Sequence, residues 1–530
     1  MGNRIRNKYK DKKNGKKDAE GVPKEFLALG IFIVFFLVGV YYYYHDTIKE
    51  NVFSSAPSMF ALLASALVGL MIATYIFMES RFYGFERFAT ALLLVFGTLY
   101  MFVFTPMSVP DEVTHYKAAY KYSNYMTFHF NDTNEVLNMR ACDYEFISTV
   151  DTELGADQYR LMRQNMDIFT SDTEMTPCNT TTITSKPLAY IPQALGLTVG
   201  RILHLGAYPT FFLGRFFNLL FFCLMIYLSI KIIPVGKAAI AVASVFPMTL
   251  HLAASFSYDA YTIAMLVYLG AYIIRCIADK DKKVMVKDVI ILAVLSALAV
   301  PYKIVYIGVA AMALLIPKDR FVNKKYHLLF KAAIVGAAVL AIVVSQLTSI
   351  ANVSNGVSSG ESSDATYTLS SLTEDFKETF CIFFRSFEKQ AEFYIETFFG
   401  STLGWFQVGI PMYAIYAVAV IFLISLIRRE DEKYIEPRFI EKSYLALLFV
   451  GMSCLIVLSM LLDFTPDGYG FAYGVQGRYW LPMITLLIPL MRCSWISRSK
   501  RSDRTVLFSM MFVNCWILLK FFVQIMRQTS

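Results

Sequence analysis

The chain has 530 residues, 56% of them hydrophobic and only 17% charged, with a mean hydropathy of +0.49. Soluble domains have about 45–50% apolar and about 25% charged residues, so this composition excludes a soluble globular protein, and apolar runs of roughly 18–24 residues exclude a membrane β-barrel. The formal net charge of +8 lies in short loops and at the N-terminus, which is typical of topology signals and not of nucleic-acid binding.

The N-terminus is rich in lysine and arginine, and residues 1–24 are predicted to form a basic cytoplasmic tail. The apolar run that follows, 26–44, is too long for the core of a signal peptide and lacks a small-residue cleavage site. With a second run at 59–78 it forms an additional transmembrane pair within residues 25–80. Contact of the tail with anionic lipids is an alternative role.

The remaining apolar runs predict one membrane domain over residues 88–491, then a cytoplasmic loop and a last transmembrane helix within 492–530. Prolines interrupt the segment 187–204 and the two short runs that flank Pro301. The whole chain is expected to be an all-α integral membrane protein, a bundle of about 11–14 transmembrane helices. The runs are 88–104, 209–230, 236–254, 260–278, 288–300, 304–316, 328–347, 408–427, 443–462, 479–491 and 505–523.

The segment 187–204 decides the topology. If it crossed the membrane fully, the basic loops 279–288 and 317–327 would face outside. If it lies on the outer surface or re-enters, every basic loop falls on the cytoplasmic side, as the positive-inside rule requires. We adopt the second arrangement, which predicts a cytoplasmic N-terminus and two long extracytoplasmic loops, 105–187 and 348–405.

The two outer loops differ in composition. Residues 352–371 are rich in Ser, Gly and Asn, which is typical of a flexible segment. Residues 376–399 carry apolar side chains at helical spacing and predict a helix in the plane of the membrane interface. The first loop contains Cys142 and Cys178, which could form a disulfide in an extracytoplasmic loop.

The most informative motif is Pro110-Asp111-Glu112 at the start of the first outer loop. A carboxylate there could act as a general base, and two adjacent carboxylates shift each other's pKa. His115 shares a helix face with Asp111, and Tyr116 shares one with Glu112. The competing interpretation is structural, because Ser108-Val109-Pro110-Asp111 has the pattern of a capping box, with acidic residues in the first turn of a helix.

Other polar residues fall on the same predicted side of the membrane. Asp259 begins a span, either as an N-cap or as a second acid of the site. Lys303 lies between two half-length helices and Arg478 between Gly477 and Tyr479. Both cations suit a phosphate, although interface anchoring is the alternative. Arg215, near the outer end of its span, is a weaker candidate of the same kind.

Trp405, after Gly404, could stack on a sugar ring or anchor the chain in the interface. The sequence has no Walker A motif and no GxGxxG after a strand. Any energy-requiring transport or reaction must therefore be driven by a membrane gradient or by an activated, lipid-borne substrate. A multi-pass transporter or flippase is the main alternative to an enzyme, although we find no internal repeat of the kind such proteins carry. A non-catalytic assembly partner is the third possibility.

Taken in order, several short motifs resemble a bacterial family of multi-pass membrane proteins of unknown function that is grouped with the C-type (GT-C) glycosyltransferases. The resemblance covers residues 88–490 approximately. Val113 and Tyr302 stand where the family usually has Pro and an apolar or small residue. The matching motifs are Pro110-Asp111-Glu112 with His115, Tyr116, Ala119 and Tyr120; Pro192 to Gly196; Gly214-Arg215; Pro247-Met248; Ser257-Tyr258-Asp259; Lys303 with Tyr306; Gly404-Trp405; and Gln476-Gly477-Arg478-Tyr479 with Pro482.

This resemblance implies a GT-C-like fold and the transfer of a sugar from a polyprenyl-phosphate carrier to a cell-wall or surface-glycan acceptor. The site would face outside the bacterial plasma membrane. Asp111 would be the base and Glu112 would assist it or bind a sugar or metal, and whether a divalent metal takes part is left open. The implied substrate-binding residues are His115, Tyr116, Arg215, Asp259, Lys303, Trp405, Gln476, Arg478 and Tyr479.

Overall fold

The computed structural model describes residues 24–51, 53–80, 83–133, 135–179, 187–354, 367, 374, 376–432, 437–466 and 468–528. The fold is an all-α membrane protein, as the sequence predicts. Almost all of the predicted basic tail, and most of the Ser- and Gly-rich stretch 352–371, lie outside the described residues.

The N-terminal half contains the additional helix pair, the first long loop and the first helices of the main bundle. The helix α1 continues as a π-helical turn, Tyr44–Ile48. The elements are α1 (Lys24–Tyr43), α2 (Ala56–Glu79), α3 (Phe85–Val103), α4 (Glu112–Met126), β1 (Val136–Arg140), α5 (Ala141–Thr149), α6 (Ala156–Gln164), β2 (Met175–Asn179), α7 (Ile191–Ile202) and α8 (Ala207–Ile232).

The C-terminal half is more broken, with several turns of 3₁₀-helix between the α-helices. The elements are α9 (Lys237–Ser244), α10 (Pro247–Ala253), α11 (Asp259–Ala278), α12 (Val286–Ala299), α13 (Ile307–Ala311), α14 (His327–Ser354), α15 (Phe376–Phe399), β3 (Thr402–Leu403), β4 (Val408–Gly409), α16 (Met412–Leu426), α17 (Phe439–Phe464), α18 (Ile484–Leu490) and α19 (Ser502–Arg527).

Within the described residues, eight helices are long and apolar enough to cross a membrane, and two shorter apolar helical stretches, Ile304–Leu315 and Met412–Leu426, accompany them. The run 236–254, predicted as one span, forms two short helices instead. Pro247 begins the second of them, because proline has no N–H to continue the helical ladder. The run 479–491 likewise begins as a 3₁₀-helix, Gly477–Met483.

Contacts between the loops show which helix termini lie at the same end of the bundle. At one end, here called the basic end, Arg504 lies over the ring of Tyr83 and Lys283 donates to the carbonyl oxygen of Asp319 at 2.8 Å. At the same end, residues 429 and 498 form a β-bridge. The start of α17 links these contacts, because Lys442 donates to the carbonyl oxygen of Arg492 and the hydroxyl of Tyr444 donates to that of Ala311. The basic loops that precede α3, α12, α14 and α19 therefore share one end.

The opposite end, here called the site end, carries the long polar segments. Near the start of α8, Arg215 donates to the carbonyl oxygens of Met101 and Phe104 at the end of α3. The helix α7 has 12 residues, or about 18 Å, and is too short to cross a hydrocarbon core of about 30 Å. After it, the amide of Gly206 donates to the carbonyl oxygen of Ile168 in the first loop at 3.0 Å. The segment 187–204 thus begins and ends at the site end.

The first long loop is a folded unit and not an open tether. Its strands β1 and β2 pair antiparallel. Arg140 and Asp143 form a buried ion pair at 2.6 Å, and the hydroxyl of Tyr120 donates to the same carboxylate at 2.7 Å. Cys142 and Cys178 are free thiols, so the disulfide considered from the sequence is not formed.

Candidate functional site

Three charged side chains from distant parts of the chain meet at the site end. The Nζ of Lys303 lies 3.0 Å from Oδ1 of Asp259, and the Nε of Arg478 lies 3.7 Å from Oδ2 of the same carboxylate. The side chains are 12–19% exposed. We call Asp259, Lys303 and Arg478 the cationic cluster, because it pairs two positive charges with one negative charge.

Aromatic rings form the walls of the cationic cluster. The Nζ of Lys303 lies 4.2 Å from the ring centroid of Tyr479 and 5.5 Å from that of Tyr258, within the range of cation–π attraction. The hydroxyl of Tyr306 donates to the carbonyl oxygen of Tyr479 at 2.9 Å. Burial by itself would lower the pKa of Lys303, but the Asp259 carboxylate and the tyrosines raise it well above its usual value, so the amine stays charged.

Local backbone structure presents each member of the cluster. Asp259 is the first residue of α11, and its amide donates to the hydroxyl of Ser257. Lys303 has an extended backbone between two 3₁₀ turns, Val300–Tyr302 and Ile304–Tyr306. The break at Pro301 thus leaves Lys303 outside the helical hydrogen-bond pattern, and the Lys303 side chain extends into the site end of the bundle.

Arg478 is held by the close approach of two helical segments. The amide of Gly477 donates to the hydroxyl of Thr397 in α15 at 2.8 Å. A methyl group at Gly477 would overlap the carbonyl oxygen of Tyr394 and the amide of Phe398. The glycine in the predicted Gln-Gly-Arg-Tyr motif therefore serves backbone contact with α15, and Gln476 lies half-buried beside it.

His115 joins the cluster through aromatic neighbours. Its Nδ1 lies 2.9 Å from the hydroxyl of Tyr190, and its ring meets that of Tyr258 edge-on, with centroids 5.3 Å apart. Because Tyr258 also faces Lys303, His115 supports one wall of the cluster. Tyr190 was not singled out from the sequence.

Asp111 lies at the mouth of this region. It is exposed and has φ 60° and ψ 12°, a left-handed conformation that is uncommon for a residue other than glycine and that costs on the order of 1–3 kcal/mol. Burial alone would lower the pKa of Arg478, whereas Tyr479, the Asp259 carboxylate and, least of these, Asp111 raise it. Asp111 lies one helical turn before His115, whose amide donates to its carbonyl oxygen and whose ring contacts Tyr258 beside Lys303.

Glu112 and Arg215 are placed differently from the sequence expectation. Both are fully buried, with Oε2 of Glu112 2.5 Å from Nη2 of Arg215 and Oε1 2.8 Å from its Nε. The amide of Phe256 also donates to Oε1, and Arg215 donates to the carbonyl oxygens of Met101, Phe104 and Thr105. In this structure the polar atoms of both side chains are occupied by contacts within the protein, and the substrate contact expected of them from the sequence stays a prediction.

Tyr116 also lies in the core of the structure. It is completely buried among Tyr120, Phe146, Phe211 and Phe256. Sequence spacing placed it on the face of Glu112, and that face turns towards the protein interior.

The second long loop closes over the first at Gly404 and Trp405. The amide of Gly404 donates to Nε2 of His251 at 3.2 Å, and the amide of Trp405 donates to the carbonyl oxygen of Ser108 at 3.4 Å. The Trp405 side chain is 40% exposed and lies beside the segment that leads to Asp111. His251 was missed from the sequence, where a lone histidine in an apolar run gives no functional signal.

Among the described residues, no group of three or more His, Cys, Asp and Glu side chains is arranged to hold a metal ion. The site is thus a set of one exposed carboxylate, one buried carboxylate, two cations and several tyrosines. This combination can bind an anion and accept a proton.

The fold and site define a multi-pass α-helical membrane protein with a polar cluster at one end of its bundle. Residues 94–487 match a family described as "Predicted membrane protein (DUF2142)", and the chain belongs to that family. Every residue of the cationic cluster, and Asp111, lies within the matched region. No curated protein and no solved structure matches the chain.

Proposed function

We propose that the protein is a membrane glycosyltransferase with a GT-C-like bundle, which moves a sugar from a polyprenyl-phosphate carrier to a cell-wall or surface-glycan acceptor. The observation that carries the proposal is the convergence of Asp259, Lys303 and Arg478, together with the exposed carboxylate of Asp111 one helical turn before His115. These residues come from four separate segments of the chain.

The charge of the cluster supports an anionic ligand. Within the cluster itself Lys303 and Arg478 share the Asp259 carboxylate, which leaves one excess positive charge among these three partly buried side chains. The Nε of Arg478 is buried and lacks a hydrogen-bond partner among the described residues. A phosphate oxygen would satisfy this donor, and charge-assisted hydrogen bonds of this kind are the stronger ones.

In the proposed reaction Asp111 acts on the acceptor, and Lys303 and Arg478 act on the carrier phosphate. The acceptor hydroxyl gives its proton to the Asp111 carboxylate, and its oxygen forms a bond with the anomeric carbon of the sugar. The bond between that carbon and the carrier phosphate oxygen breaks, and the phosphate leaves with the electron pair. Lys303 and Arg478 stabilise the charge that develops on it.

The proposed location is the bacterial plasma membrane, with the N-terminus in the cytoplasm and the site end outside. The gathering of basic loops at the opposite end supports this orientation. A lipid-borne donor suits such a site, because the chain carries no nucleotide-binding motif. The bilayer would then supply both the solvent for the bundle and the path by which the donor arrives.

The proposal is tested by Asp111→Asn, which keeps the size of the side chain and removes the base. We expect transfer to fall by about 10²–10⁴-fold, measured as surface glycan composition in cells that make equal amounts of inserted protein. Asp172→Asn, an exposed carboxylate of the same loop, is the matched control. Wild-type glycosylation in Asp111→Asn cells would refute the catalytic role.

A second assay distinguishes a transferase from a transporter or flippase. Purified protein in detergent is supplied with polyprenyl-phosphate sugars and a glycan acceptor, so that no membrane barrier exists. An enzyme transfers the sugar under these conditions, and the transfer requires Asp111. A flippase would transfer no sugar under these conditions.

A further inference from the structure

Two segments of strained backbone meet at Ser108. Within the described part of the chain, five residues other than glycine have a positive φ, and three of them, Met107, Asp111 and Phe406, lie in these two segments. The amide of Trp405 donates to the carbonyl oxygen of Ser108 at 3.4 Å and joins them. Left-handed conformations of this kind cost free energy and persist only where the surrounding structure fixes them. Other parts of the protein must therefore hold both segments.

The end of α19 contacts both of the long loops. Gln528 is the C-cap of α19, and its Nε2 donates to the carbonyl oxygen of Gln407 at 2.9 Å, one residue after Phe406. The carbonyl oxygen of Gln528 accepts from the amide of Ala156 at the start of α6, at 3.3 Å. The side chain of Gln407 accepts from the amide of Leu154 at 2.6 Å. One helix end thus connects the first long loop with the residues that follow the second.

The helix α6 also packs against α19 beside these hydrogen bonds. The ring of Tyr159, which is 1% exposed, has its centroid 5.9 Å from that of Phe522 in α19. The hydroxyl of Tyr159 donates to the carbonyl oxygen of Val103 at the end of α3. A methyl group at Gly155 would lie 2.8 Å from the carbonyl oxygen of Gln528. The first long loop is therefore fixed to α19 by close packing as well as by hydrogen bonds.

The additional helix pair holds α19 in turn. The ring of Phe32 in α1 stacks on that of Phe512 in α19, with centroids 4.0 Å apart. The side-chain amide of Asn51, between α1 and α2, donates to the carbonyl oxygen of Met526 at 2.6 Å, near the end of α19. All three helices lie outside the residues that match the family, 94–487. Their contacts meet the family region at the two strained segments.

We propose that α1, α2 and α19 hold the turn 404–407 against the segment 108–111, and we call the contacts of Asn51 and Gln528 the clasp. The turn carries Trp405, which is 40% exposed, so the clasp sets the position of this ring relative to the acidic motif. Both clasp residues are positioning residues, because they act through the turn. The clasp is independent of the proposed function, and only its effect on sugar transfer rests on that function.

The test is hydrogen–deuterium exchange of the full-length protein in lipid nanodiscs, followed by mass spectrometry of peptides that cover 401–410. Gln528→Glu keeps the size of the side chain and removes the donor to the carbonyl oxygen of Gln407. Gln164→Glu makes the same change at an exposed glutamine at the end of α6 and is the matched control. We expect exchange in 401–410 to become about 2–10-fold faster in Gln528→Glu and to stay unchanged in the control.

Asn51→Asp tests the contribution of the helix pair. It keeps the acceptor for the amide of Phe53 and removes the donor to the carbonyl oxygen of Met526. We expect the same peptides to exchange faster, by a smaller factor than in Gln528→Glu. Wild-type exchange in either variant would overturn the clasp. Faster exchange throughout the bundle would overturn it too, because it would show a general loss of stability and no specific hold on the turn.

The effect on sugar transfer is measured separately with purified protein. Gln528→Glu should raise the KM for the acceptor about 2–10-fold and leave kcat nearly unchanged, because Trp405 is displaced while Asp111 remains. Asp111→Asn should lose transfer and keep wild-type exchange in 401–410. If the wild type transfers no sugar, the transferase proposal falls and exchange alone decides the clasp. If transfer requires Asp111 while Gln528→Glu exchanges as the wild type does, only the clasp falls.

Discussion

The Glu112–Arg215 pair and the cationic cluster both pair acidic with basic side chains at the site end, but they differ in burial and in how many of their polar atoms are hydrogen-bonded. The Glu112–Arg215 pair is completely buried, and protein groups occupy its polar atoms. The side chains of the cationic cluster are 12–19% exposed, and the Arg478 Nε has no hydrogen-bond partner within the described part of the chain. The first region holds the fold in place, whereas the second has binding capacity left over. Unused hydrogen-bonding capacity therefore distinguishes these two regions from each other.

Removing Arg215 should have the largest effect. Arg215→Met leaves the Glu112 carboxylate buried without its partner, and we expect the free energy of unfolding to fall by about 3–5 kcal/mol. The measurement is denaturant unfolding of purified protein in detergent. The double change Glu112→Gln with Arg215→Met should cost less, because no buried charge remains. An unchanged unfolding curve for Arg215→Met would remove the distinction between the two regions.

Lys303→Met should separate activity from stability. Asp259 keeps Arg478 as a partner, so the stability loss should be smaller than for Arg215→Met. Sugar transfer should fall by about 10²–10³-fold, because one cation facing the leaving phosphate is lost. Lys280→Met, an exposed lysine at the basic end, is the control. A Lys303→Met protein that is unstable but fully active when folded would place Lys303 among the structural charges.

Gly477→Ala tests how the cluster is positioned. The added methyl group meets backbone atoms of α15, so the 3₁₀ segment and Arg478 must move, at a cost of about 1–3 kcal/mol. Thermal unfolding and sugar transfer should both decline. At Gly451 in α17 a methyl group meets nothing within 4 Å, and Gly451→Ala should leave both measurements unchanged. Equal behaviour of the two variants would show that the close approach is unimportant.

Tyr190→Phe should have the smallest effect. It removes the hydrogen bond to His115, and we expect a stability loss of about 0.5–1.5 kcal/mol. Transfer should decrease less than in Lys303→Met, since the ring of His115 contacts the cluster through Tyr258. Tyr416→Phe, on an exposed face, is the reference variant. A loss of transfer as large as that of Lys303→Met would make His115 a direct participant.

The long helices were predictable because their hydrophobic runs are continuous. The run 209–230 corresponds to α8 (Ala207–Ile232), and 260–278 corresponds to α11 (Asp259–Ala278). Hydropathy did not predict that 236–254 would divide into two helices at Pro247, because the hydropathy of an apolar run does not show where the helical hydrogen bonds are interrupted. The helix at Phe376–Phe399 was foreseen from its amphipathic spacing, but its close contact with Gly477 was not.

The sequence by itself determined the class of the protein and the approximate ends of its longest helices, and it singled out all three residues of the cationic cluster, because hydrophobic length and charge position are local properties. Only the tertiary structure decided which charges pair. Glu112 and Arg215 are separated by 103 positions, and whether such a pair faces a site or the core depends on packing that no local pattern encodes. The same packing brings Asp259, Lys303 and Arg478 together and leaves Asp111 exposed beside them.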